Sequence, residues 1–229
     1  MDINFDFRQD CPPRPVDPDC DSEKLKECHK KLWSKQLPNG EILNLKVGRT
    51  NYNYLSWNNI RFSSDTMNSS YAHTGYKQIK KILPNLPKDV LSNFQYKTCT
   101  IGNFIIFPKG NGKSINQDRG SWGDCIKDRF DLTLRCIQLF YENKYSPLNE
   151  TFARYKCFFD LFICFEGYVK FFLLQDIIDN NGKIKFLLGT GDFGEYPLPE
   201  SIEDYLLYIN NTSRFIDERG KRMIGDFVE

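Results

Sequence analysis

From Cys99 to Tyr141 the chain runs an apolar strand, a glycine-rich loop and an amphipathic helix together: CTIGNFIIFPKGNGKSINQDRGSWGDCIKDRFDLTLRCIQLFY. The strand, Ile101 to Phe107, stops at Pro108, because proline lacks the N–H a ladder needs. A loop of Gly, Asn, Lys and Ser follows. The helix is expected from about Gly123 to Asn143, where Ile126, Phe130, Leu134, Ile137 and Tyr141 fall at spacings of four, four, three and four. Leu132, Cys136 and Phe140 widen that stripe, so this helix is buried on more than one side.

The rest of the chain has to cover this unit. Hydrophobic residues make up 40% of the 229, and aromatics 15%, which suffices for a large core and argues against disorder. A length of 229 residues leans toward one domain rather than two. The formal charge of +1 supplies no global basic field, so non-specific attraction to nucleic acid or membrane is not implied. No apolar run approaches the roughly 18 residues of a membrane helix, and MDINFDFRQD has no apolar segment of the signal-peptide kind, so no membrane association is expected. Without an export signal the eight cysteines read as reduced thiols, and the expected location is the cytoplasm. Cys157 and Cys164, seven apart, are expected on one helical face as small hydrophobes.

Residues 1–21 read as an irregular, proline-rich lead-in and residues 22–229 as a single globular domain. A helix is expected over 22–34, strands over 41–47 and 52–62, and a helix from the Ser63-Ser64-Asp65 cluster to Leu83. Helical pieces follow over 147–165 and 168–178, then a strand at 183–188 and a terminal helix from Ser201. The fold class is α+β, mostly helical, with a small mixed or antiparallel sheet built from segments 41–47, 52–62, 99–107 and 183–188.

Several segments together resemble an uncharacterised bacterial protein family of unknown function: TIGNFIIFP (Thr100 to Pro108), SINQDRG (Ser114 to Gly120), IKDRFDLTLRCI (Ile126 to Ile137), GYVKFFLLQD (Gly167 to Asp176) and PLPES (Pro197 to Ser201). LWSKQLPNGE and FSSD fit the same pattern, which spans about residues 24–222. The resemblance implies one domain of bacterial or phage origin and no particular activity. The chain departs from the pattern in a shorter loop at 109–113 and in Asn103, which stands where a second glycine is usual.

Polar groups capable of chemistry are densest at the central junction. KGNGKSINQDRG follows a strand and offers backbone donors, but only Gly112-Lys113-Ser114 matches the end of a P-loop. The candidate constellation is Asn116, Arg119, Asp128, Arg129 and Asp131, with Lys113 beside it. In a functional reading Arg119 and Arg129 fork a phosphate or carboxylate, and Asp128 or Asp131 acts as base or metal ligand. In a structural reading the same groups form an ion-pair network pinning loop to helix. His73 is a further candidate: a helix from Asp65 would put Ser69 four residues before it.

No metal or cofactor is expected, since CxxC, HExxH and HxH are absent and Cys20, Cys28 and His29 have the wrong spacing. Two functions stay open. One is an enzyme or effector acting on a phosphate-bearing substrate, a nucleotide or nucleic acid. The other is a non-catalytic protein-interaction module of a multi-component bacterial system.

Overall fold

The computed structural model describes residues 1–13, 17–48, 55–110, 114–121, 126–189, 193 and 198–225. The fold is α+β, one antiparallel sheet with helices packed around it. Its strands are β1 (Lys46–Val47), β2 (Leu55–Trp57), β3 (Ile60–Thr66) and β4 (Phe104–Lys109), in that spatial order. The helices are α1 (Pro18–Asp21), α2 (Glu23–Trp33), α3 (Lys77–Ile82), α4 (Lys88–Lys97) and α5 (Ile115–Ser121). They continue as α6 (Phe130–Tyr141), α7 (Asn149–Arg154), α8 (Lys156–Phe159), α9 (Phe165–Phe171) and α10 (Ile202–Gly225).

β2 and β3 form a hairpin whose turn begins at Asn58, at φ 50°, a left-handed conformation that asparagine tolerates. β3 then pairs with β4 from Arg61↔Lys109 to Thr66↔Phe104. The ladder overrides the helix-start preference of Ser63, Ser64 and Asp65, so the expected helix over 63–83 shrinks to Lys77–Ile82. The strand expected at 41–47 joins the sheet only at its end, through Lys46 and Val47, while Ile42 makes an isolated bridge to Gln36. Segment 183–188 stays out of the sheet and makes one bridge, Ile184 to Ile178.

The central helix keeps its stripe: Phe130, Leu134 and Ile137 are fully buried. It begins seven residues later than expected, at Phe130, so Asp128 and Arg129 precede it. The helix expected over 147–165 breaks into α7, α8 and a 3-10 turn, and its aromatic rings pack together across the breaks. Phe152 and Phe159 meet at 4.9 Å, and Phe158 and Phe162 at 5.1 Å. The breaks turn Cys157 and Cys164 outward, and both thiols are exposed rather than buried.

The proline-rich lead-in is tied into the packed body. Phe7 is buried against Phe104 with ring centroids 5.8 Å apart, and its N–H donates to the Cys99 carbonyl at 3.1 Å. On the other side α10 crosses Gly102 closely, and a Cβ there would stand 2.2 Å from the Ile216 carbonyl oxygen. Glycine at the TIGN corner is therefore a packing requirement. Arg219 uses that approach to donate to the Gly102 and Phe104 carbonyls, both at 2.9 Å, and to Phe172 at 3.1 Å. It also lies over Trp33, 5.7 Å from the ring centroid. Burial lowers its pKa to about 9, and carbonyls and an aromatic face do the work of a counter-ion. Among the described residues, no helix is long and apolar enough to cross a membrane.

Candidate functional site

The strand alternation of β3 sends its polar residues in two directions. Ser64 points toward α2, and Asp65 toward α5. Asn116 reaches back from α5, donating to the Ser64 carbonyl at 2.9 Å and to Ser63 Oγ at 3.3 Å. Arg119, one turn further, is 1% exposed. Its guanidinium pairs with Asp65, donates from Nε to Thr133 Oγ1 at 2.8 Å, and reaches the carbonyls of Met67, Ile126 and Lys127. It also lies over Phe107. One side chain thus joins α5, β3, β4, α6 and the turn before α6.

Arg129 and Asp131 form a second, separate pair. Both are fully buried, and Arg129 donates from Nε to Asp131 Oδ1 at 3.1 Å and from a terminal nitrogen to Oδ2. Asp131 Oδ2 also accepts from the Leu187 N–H at 2.8 Å, fixing segment 183–188 to the start of α6. As the residue before α6, Arg129 offers no capping oxygen. Asn68, 62 residues upstream, accepts from the Phe130 N–H at 3.0 Å instead. Asn103, the departure noted in the sequence, holds Asn68 in place. It accepts from the Asn68 backbone and side chain at 3.1 Å and donates to the Asn68 and Thr98 carbonyls at 2.9 Å.

Asp128 lies on the turn before α6 and accepts from Tyr76 Oη at 3.0 Å. Its carbonyl accepts from the Ser69 N–H at 2.9 Å and from Tyr208 Oη at 3.1 Å. His73 is exposed in the turn before α3, and Ser69 and His73 share no helix. Lys113 lies outside the described residues, as do Trp122 to Cys125.

These placements leave one polar cleft of about 440 Å³. Asp65, Asn116, Lys127 and Asp128 line it, together with Thr66 and Asn68. Arg119 stays beneath the surface, spent on protein acceptors, and Arg129 lies deeper with Asp131. Asn116 Oδ1 is buried without a partner among the described residues.

Beside the cleft runs a relay that the sequence did not disclose. Trp33 Nε1 donates to His29 Nδ1 at 3.0 Å, and His29 Nε2 lies 3.1 Å from Ser64 Oγ. Ser64 in turn hydrogen-bonds Asp19, which also accepts from Thr66 N at 3.2 Å and Thr66 Oγ1 at 2.9 Å. Burial, then the charge of Asp65, raises the Asp19 carboxyl to about 7, against the pull of the Ser64 and Thr66 hydrogen bonds. Its Oδ1 has no partner among the described residues. Burial also raises Asp65, although Arg119 opposes it. The only local cue to Asp19 is the Asp17-Pro18-Asp19 start of α1, where Asp17 caps the turn and accepts from Asp19 N.

Among the described residues, no group of three or more His, Cys, Asp or Glu side chains is arranged to hold a metal ion. A family model matches residues 1–223. The chain belongs to DUF6994, a family of unknown function. No curated protein and no solved structure gives a significant match. Membership of DUF6994 therefore attaches no reaction to the cleft, and the chemistry has to be read from its side chains.

Proposed function

We propose that this DUF6994 protein is an enzyme performing general acid–base chemistry on a small, hydroxyl-rich substrate in the cleft of Asp65, Asn116 and Asp128. The observation that carries the reading is convergence. Carboxylates and amides from β3, α5 and the turn before α6 meet at one cleft, and two neighbouring oxygens, Asn116 Oδ1 and Asp19 Oδ1, have no partner among the described residues. Burial and the charge of Arg119-paired Asp65 push the Asp19 carboxyl up to about 7, and a carboxyl brought near neutrality is suited to giving and taking a proton.

A phosphate fork built from Arg119 and Arg129 finds less support. Both guanidiniums are buried on protein acceptors, and an anion in the cleft would face Asp65 and Asp128 with Lys127 as the lining cation. Hydroxyl groups, which both donate and accept, suit the carboxylate and amide lining better.

The test is a thermal-shift and calorimetric screen of sugars, polyols and nucleosides on the full chain, repeated with Asp128→Asn. Binding by a hydroxyl-rich compound that weakens at least tenfold in the variant supports the reading. Failure of every such compound to bind counts against it.

A further inference from the structure

A second cleft lies on the far side of the segment that Asp131 anchors. It holds about 390 Å³ between α10 and residues 176–187, and its walls include Lys185, Phe186, Leu187, Asn211, Arg214 and Phe215. That volume suits a mononucleotide-sized ligand.

Its walls carry two acids and two cations, and the acids pair with cations that do not line the cleft. Asp176 is held by Arg222 through two hydrogen bonds of 2.6 and 2.8 Å, and Glu218 pairs with Lys221 at 2.7 Å. Lys185 and Arg214 are exposed, and neither side chain has a partner among the described residues. The acids are thus committed to cations on α10 while two cations remain unspent at one cavity. An isolated surface lysine is ordinary, but two cations lining one cleft with their donors free offer a phosphate two points of attachment.

The wall is also held in advance. Leu187 N donates to Asp131 Oδ2 at 2.8 Å, its carbonyl accepts from Asn211 Nδ2 at 3.0 Å, and Lys185 N donates to the Ile177 carbonyl at 2.8 Å. The strip that carries Lys185 and Phe186 is therefore fastened to α6, α10 and residue 177, which keeps a bound ligand from bearing the whole ordering cost. Half-buried Phe186 adds an aromatic surface, and it also lines the adjoining groove beside Lys183 and Arg135.

We infer that this cleft binds a nucleoside phosphate, its phosphate held by Lys185 and Arg214 and its base resting against Phe186. Guanidinium and ammonium groups supply charge-assisted donors to phosphate oxygens, and a phenyl face accepts any base. The site is independent of the carboxylate cleft, so either proposal can fail alone.

The experiment titrates AMP, ATP, adenosine and inorganic phosphate into the full chain by calorimetry at low salt, using the parent, Lys185→Ala, Arg214→Ala, Phe186→Ala and Lys127→Ala. Both cationic side chains are exposed, and unchanged thermal midpoints in their variants verify folding. The expected result is binding of AMP or ATP that weakens at least tenfold in Lys185→Ala and Arg214→Ala, weakens in Phe186→Ala, and is unchanged in Lys127→Ala. No nucleotide binding to the parent overturns the inference. So does binding indifferent to Lys185 and Arg214, or inorganic phosphate binding as tightly as AMP.

Discussion

Trp33 Nε1 donates to His29 Nδ1 at 3.0 Å, and that bond makes the neighbouring Nε2 the protonated nitrogen. His29 therefore donates to Ser64 at 3.1 Å. A base that activates a serine must present a lone pair to the hydroxyl, so this Ser–His contact has the wrong polarity for a nucleophile. It passes hydrogen-bond direction through Ser64 toward Asp19 instead. The relay thus serves the carboxyl group rather than the serine.

Burial, and then the charge of Arg219, lowers His29 to about 3. A depressed pKa contributes stability that is present above the unfolded value near 6.5 and is lost as pH falls toward 3. His29→Gln is expected to be less stable than the parent at pH 7 and to lose less stability between pH 6.5 and 4. Urea titrations at several pH values check this, and parallel pH profiles for the two proteins would sink it.

Asp19 works in the opposite sense. Its raised pKa contributes stability that is fully present below about 3.8 and lost as pH rises through about 7. Asp19→Asn removes that term, so relative to the parent the variant should gain stability as pH rises from 5 to 8. A stability difference that does not change over that window would contradict the assignment.

Arg119→Ala removes the cation facing Asp65 and orphans the carbonyls of Met67, Ile126 and Lys127 together. The expected cost is about 3–5 kcal/mol, the size seen when one partner of a buried pair is removed. Chemical denaturation measures it. A loss under about 1 kcal/mol, typical of surface positions, would mean that Arg119 does not staple this junction.

Asp131→Ala frees both Arg129 and the Leu187 N–H. Beyond a similar global loss, hydrogen exchange at Leu187 should speed up more than exchange in the β3–β4 ladder. Equal acceleration at both places would show that Asp131 does not hold segment 183–188 individually.

The apolar side of the molecule was legible because periodicity reports burial directly. Phe130, Leu134 and Ile137 fall on one stripe and are all buried. The residues of the polar junction could be gathered from the sequence, but not their partners. Arg119 pairs with Asp65 and Arg129 with Asp131, and the first of these contacts spans 54 positions. Capping chemistry misled at Ser63 to Asp65, because pairing with β4 outweighed a local preference. Asp19 was illegible for a related reason: a carboxylate in a proline-rich lead-in looks solvated until Ser64 and Thr66 are folded against it.

Titrating the Asp19 side-chain carboxyl by carbon-detected NMR in the intact chain, with Asp19→Asn to assign the signal, tests the acid–base reading most directly. The expected midpoint is about 7, raised by burial and by the charge of Asp65. A midpoint near the ordinary 3.8 would leave Asp19 a permanent carboxylate and contradict its role as proton donor.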